Sequence, residues 1–193
     1  MIASTRPTLA ATLWPAAEHN LVRSALIALA GSGLLWLSAK VQVPFWPVPM
    51  TLQSLVVLVL GATLGWRLGL ATVMLYLAEG AAGLPVFAGS PEKGLGLLYM
   101  AGPTGGYLVG FLAGVVAIGL LAERGWDRSI AWMFAAMTLG HALIFLFGWA
   151  WLAHLAGAEK AWLLGVVPFA AATLLKTAIA SLVVPATWRI AGK

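Results

Sequence analysis

The sequence has no cysteine and very little charge. With no cysteine in 193 residues, disulfides and thiolate metal sites are excluded. Charged residues make up 9% of the chain, against about 25% in a soluble domain, so its surface does not suit water. No G-x-x-x-x-G-K-[ST] phosphate loop is present, so any ATP must be handled by another subunit. Residues 1–20 hold Arg6, Pro7, Pro15 and Glu18 and lack the apolar core of a signal peptide. What is there instead is apolar: 62% hydrophobic residues and a mean hydropathy of +0.97. The runs 41–66, 94–122 and 129–158 contain no Asp, Glu, Lys or Arg, and each exceeds the ~18 residues that mark a transmembrane candidate. The net charge of +5 comes from basic residues scattered at helix ends. That pattern fits membrane topology and a lipid surrounding rather than nucleic acid.

The pattern predicts an all-α integral membrane protein. Residues 1–20 read as a short, mobile cytoplasmic tail, and 21–193 as one six-helix transmembrane domain. The helices are expected at 21–40, 50–65, 66–82, 105–122, 129–155 and 170–190. Three irregular segments interrupt them. VQVPFWPVP (41–49) has three prolines that deny helix and impose an extended path. Residues 83–104 form a long Gly/Pro-rich connection, and VVPF (166–169) precedes the last helix. Arg6, Arg23, Arg67, Arg124, Arg128, Arg189 and Lys193 gather on one side, against Lys40, Lys93 and Lys160 on the other. The basic side is the cytoplasmic one, so both termini lie there and the irregular segments lie on the outer face. Within 94–111, six glycines and a proline punctuate an uncharged stretch. Such backbone at membrane depth is tolerated where it is buried in protein or lines a cavity. This stretch, with Gly105, is therefore expected to form a wall of a binding site.

Helix rise places the polar residues by depth. Counted from the basic or acidic residue at each cytoplasmic helix end, Glu79, His141, Lys176, Gln53 and Tyr107 all fall about 18–24 Å in. Each has an ordinary explanation: Gln53 and His141 as interhelical hydrogen-bond glue, Tyr107 as an interfacial belt residue, Glu79 in the headgroups. Lys176 is the exception, since snorkelling from about 10 Å inside the core is a long reach. The shared layer predicts a small ligand with a few polar groups, one of them anionic, whose apolar body lies on Phe87, Trp46 or Tyr99. Glu79 and Lys176 are expected to neutralise one another in the empty protein, directly or through His141. Ser24, Ala28 and Ser32 recur every four residues, a small-residue stripe that permits close helix–helix contact.

Three segments together carry a resemblance. PVPMTLQ (47–53), GLPVFAG (83–89) with GPTGGYLVGF (102–111), and FGWAWLA, VVPF and LLK (147–153, 166–169, 174–176) resemble the BioY family. These are the biotin-binding S components of energy-coupling factor (ECF) vitamin transporters. The match covers most of 43–180 and is most specific in the middle segment. The resemblance implies six helices holding biotin near the outer face, with no cofactor, no metal and no chemistry. It also implies partners: a transmembrane T component, docked through the face of Ser24, Ala28 and Ser32, and two ATPase subunits. At one position the chain departs from the family pattern PF-x-x-x-D-x-x-K. It reads PFAAATLLK, so Lys176 carries over while Thr173 stands where the family has Asp. A threonine hydroxyl can still accept one hydrogen bond from a ureido N–H.

Two other functions compete. AGSG at 30–33 with His141 resembles the serine–histidine pair of intramembrane proteases. Ser32 nevertheless lies about 6 Å from His141 in depth alone, too far for a nucleophile–base contact. A proton-coupled carrier for a small organic anion would use Glu79, His141 and Lys176 as a relay. The chain carries no inverted repeat of the kind that builds self-sufficient carriers.

Overall fold

A computed structural model describes residues 7–13, 20–44 and 46–191. Arg6 and Lys193, both used in the charge count, lie outside the described residues, as does most of the expected tail. Within that tail, Leu9–Leu13 is not free chain. It forms a short helix, α1, with Leu9 and Ala11 buried, because its apolar side chains pack onto the helix beginning at Gln53.

Helix α2 (Leu21–Lys40) starts where the Asn20 side chain accepts from the amides of Val22 and Arg23, an N-cap that satisfies two otherwise orphan donors. The triple-proline segment then closes on itself. Strands β1 (Gln42–Val43) and β2 (Met50–Thr51) pair antiparallel, with Gln42 opposite Thr51 and Val43 opposite Met50. Met50 and Thr51 are thus strand residues rather than the first turn of a helix.

The expected second and third helices are one element, α3 (Gln53–Ala81), interrupted at Gly65 with φ 78° and ψ 175°. That backbone conformation is essentially open to glycine alone. The chain doubles back there. Gln53 Nε2 lies 2.7 Å from Tyr76 Oη across 23 residues, a separation of about 35 Å along a straight helix. Glu123 accepts from the Trp66 amide at 3.2 Å, a carboxylate at the start of the returning half, where exposed N–H groups favour negative charge.

Helix α4 (Gly96–Met100) interrupts the long connection, and α5 (Gly105–Ala122) follows. Then come α6 (Ile130–Ala156), α7 (Ala158–Gly165) and α8 (Ala170–Ile190). Helix α5 is the centre of the bundle, packed on α3 and α6. Its glycines allow backbone-to-backbone approach: a Cβ at Gly106 would sit 2.3 Å from the Phe147 carbonyl, and one at Gly119 2.3 Å from the Trp66 nitrogen. Among the described residues, five helical stretches are long and apolar enough to cross a membrane: α2, α3, α5, α6 and the α7–α8 stretch Ala158–Ile190.

Side-chain bonds sort the two ends of the bundle. At one end Glu123 meets Trp66, Trp188 donates to Asp127 at 2.6 Å, and Arg128 lies over the Trp188 ring. At the other, Lys40 reaches Ser90, Trp151 reaches the Gly102 carbonyl, and Tyr107 reaches the Gly165 carbonyl. The three irregular segments therefore meet at one end.

Candidate functional site

At that end helices α3, α5, α6 and α8 and the irregular segments form a partly open cavity. Phe87, Tyr99, Phe111, Ile144, Phe145 and Phe169 supply apolar walls; Thr51, Gln53, Ser54, Thr104, Thr173 and Lys176 supply polar groups. Val48 and Pro49 of the proline segment line it as well, beside Phe87, Tyr99 and Thr104 of the long connection and Phe169 of VVPF, so the breaks in the helical pattern build the site.

Helix α8 points two residues into it. Lys176 is 8% exposed, and its ammonium donates to the Thr51 carbonyl at 2.6 Å and to Ser54 Oγ at 3.2 Å. Among the described residues no carboxylate pairs with it. A buried cation held by neutral oxygens is left to find its counter-charge elsewhere. One turn earlier, Thr173 lines the same cavity. Threonines 63, 72 and 138 bond the carbonyl four residues back. Thr173 makes no such bond among the described residues, and its side chain lines the cavity.

The remaining expected residues divide. Gln53 lines the cavity, but its amide is held at both ends: Nε2 donates to Tyr76, and Oε1 accepts from Thr51 Oγ1 at 3.2 Å. Tyr107 contributes its ring to the wall while its hydroxyl donates to the Gly165 carbonyl at 2.8 Å. Phe87 is 1% exposed and stacks on Tyr99 with ring centroids 4.8 Å apart. It fits because Gly80 lies beneath it; a Cβ there would be 2.0 Å from Phe87 Cζ. Gly105 is buried at the start of α5 but does not line the cavity; a Cβ there would meet the Met100 carbonyl at 2.0 Å. Its place is in close backbone packing.

Several expectations need correction. Trp46 is 79% exposed and forms no part of the wall. Glu79 and His141 do not line the cavity. Glu79 does not neutralise Lys176, because Ser32 donates its hydroxyl to Glu79 across the α2–α3 contact. His141 is 2% exposed, with Nδ1 3.0 Å from the Met137 carbonyl and 3.1 Å from Thr177 Oγ1. It ties α6 to α8 directly behind Lys176. The stripe on α2 faces inward: Ala28 and Ser32 are buried, while Ser24 is half-buried near the opposite end. With two of its three residues covered by the protein's own helices, the stripe is not a free docking face.

Thr51, Ser54, Thr104, Phe111, Phe145 and Phe169 were not singled out by sequence. Thr51 and Ser54 flank Gln53 within PVPMTLQS, and Thr104 and Phe111 sit inside GPTGGYLVGF, so their motifs carried the signal.

This geometry agrees with comparisons to known proteins. The pattern of the BioY family matches residues 8–193. The chain belongs to the BioY family. It is 39% identical over 153 residues to the biotin transporter BioY of Thermotoga maritima, covering 79% of this chain and 88% of that protein. It is 38% identical over 145 residues to a probable biotin transporter BioY of Pyrococcus horikoshii, covering 75% of this chain and 83% of that one. A crystal structure of the S-component for biotin from an ECF-type ABC transporter superposes with a TM-score of 0.75 at 22% identity, covering 87% of this chain and 92% of that chain. The fold of this BioY-family chain is therefore that of a solved S-component.

Proposed function

We propose that this chain captures biotin within the membrane as the substrate-binding component of an ECF-type uptake system. The observation that carries this is the buried Lys176 ammonium without a carboxylate partner, set in an apolar cavity beside the unbonded Thr173 hydroxyl. A ligand with a carboxylate, a hydrogen-bonding ring and an apolar body suits all three features, and biotin has them. A ureido N–H would find Thr173, and the ring system would rest on Phe87 and Tyr99.

The chain would cross the inner (cell) membrane six times, because α3 doubles back at Gly65 and so counts as two crossings. The basic bias puts both termini in the cytoplasm and the cavity at the outer face. The chain lacks a phosphate loop, so energy would come from a T component and two ATPase subunits. A proton-coupled carrier would need Glu79, His141 and Lys176 in one relay. Glu79 is engaged by Ser32 and His141 by Thr177, which breaks that chain. An intramembrane protease would need Ser32 on His141, and the same two bonds oppose it.

The test is mass spectrometry of the protein purified from cells grown with biotin, followed by uptake in vesicles carrying the partner subunits. A bound mass of biotin and uptake that follows ATP are expected. Uptake that follows the proton gradient, with no biotin bound, would overturn the proposal.

A further inference from the structure

Between α3 and α4 the backbone of 84–90 has no regular partner, yet it forms the cavity wall through Phe87 and Ala88. Backbone carbonyls in such a segment must find donors somewhere. Here side chains from three different helices provide them. Tyr76 of α3 donates to the Val86 carbonyl at 3.0 Å, and Tyr99 of α4 donates to the Ala88 carbonyl at 2.8 Å. Lys40, the last residue of α2, donates to the carbonyls of Pro85, Phe87 and Ser90 at 2.9, 3.3 and 3.1 Å. Five carbonyls of this short segment thus accept from three side chains, Lys40 serving three of the five, and the Phe87 carbonyl accepts from Ser90 Oγ at 2.7 Å as well.

Tyr76 and Tyr99 are buried and reach the segment from the elements on either side of it. Lys40 comes from outside, on a helix that packs chiefly against α3 and turns an apolar face outward. We infer that Lys40 is a positioning residue for the binding site: its ammonium, cupped by three carbonyls, fixes the 84–90 segment so that Phe87 and Ala88 stay in the cavity wall and retain the ligand. The inference rests on the biotin reading only for the identity of the ligand. Lys40 itself does not line the cavity. Its stem is exposed, so water can replace the ammonium at the carbonyls. Losing the lysine should therefore loosen the segment without unfolding the bundle.

The experiment uses the full chain in detergent, as wild type, Lys40→Met and Lys40→Arg. Amide hydrogen exchange over 86–94 and dissociation of labelled biotin into excess cold biotin are followed at one pH. Lys40→Met is expected to raise both rates about tenfold, as losing a charged hydrogen-bond donor would. Exchange in α5 and the melting temperature should stay at wild-type values, and Lys40→Arg should keep both rates close to wild type. Exchange over 86–94 within about twofold of wild type overturns the inference. So does faster exchange with an unchanged biotin off-rate, because the segment would then be loosened without consequence for the site. Should the wild type hold no biotin at all, the biotin reading fails by itself, and the exchange arm still decides whether Lys40 holds the wall.

Discussion

Thr173 shows how much one side chain can settle. It lines the cavity one turn before Lys176, and among the described residues its hydroxyl makes no bond back to its own helix. Thr173→Val keeps the shape and removes the acceptor. A ligand N–H buried without a partner costs about 1–3 kcal/mol, or about 5- to 150-fold in affinity. Thr173→Asp should be tolerated or should tighten binding, since the Lys176 ammonium lies close enough to offset the added charge. Titration of biotin into both variants checks this; unchanged affinity in Thr173→Val would remove the hydroxyl from the site. Gly80 makes a companion case in packing. Gly80→Ala puts a methyl group where the Phe87 ring sits, 2.0 Å from its Cζ. Phe87 must then leave the wall, and biotin affinity should fall while α5 and α6 keep their packing. A variant that binds like wild type would mean the Phe87 ring is not needed there.

At the scale of the element, some boundaries were legible and some were not, for separable reasons. Helices α5 and α8 begin and end where the sequence predicts, because their apolar runs start after Gly- or Pro-containing segments and stop at ionic residues. The break in α3 was legible at GATLGWR, where glycine precedes a tryptophan and an arginine suited to the interface. The β1–β2 pair, α1 and α7 were not, because short elements are held by packing and pairing rather than by their own propensity. Depth along a helix is limited in the same way. Helix rise fixes the height of Glu79, His141 and Lys176 but not the direction in which each faces. Two residues at one height can look into different interfaces, as Glu79 toward Ser32 and Lys176 toward Thr51 do. A period of four in α2 likewise shows that a small-residue face exists without saying which helix meets it. The fold-back of α3 itself yields a prediction. Gly65→Ala must hold φ 78° and place a Cβ 2.7 Å from Glu123 Oε1, which should cost about 1–3 kcal/mol. Thermal unfolding in detergent should show a lower midpoint; an unchanged one would mean the turn relaxes freely.

For the molecule as a whole, the account is that helical breaks have been collected at one end of a bundle to make a cavity, leaving the other end plain. In the topology proposed from the charge bias, the cavity end faces the outside. Cysteine at Glu92, exposed in the cavity-end connection, should react with an impermeant thiol reagent in intact cells, and cysteine at Arg124 should not. The reverse labelling would turn the protein over. The claim on which everything else depends is that this cavity holds biotin through Lys176. Titrating biotin into the purified wild type and into Lys176→Met tests it most directly. The account predicts saturable one-to-one binding by the wild type and a loss of about 2–5 kcal/mol, at least about thirtyfold in affinity, in the variant. Equal affinity in a folded Lys176→Met protein, or no binding by the wild type, would contradict it.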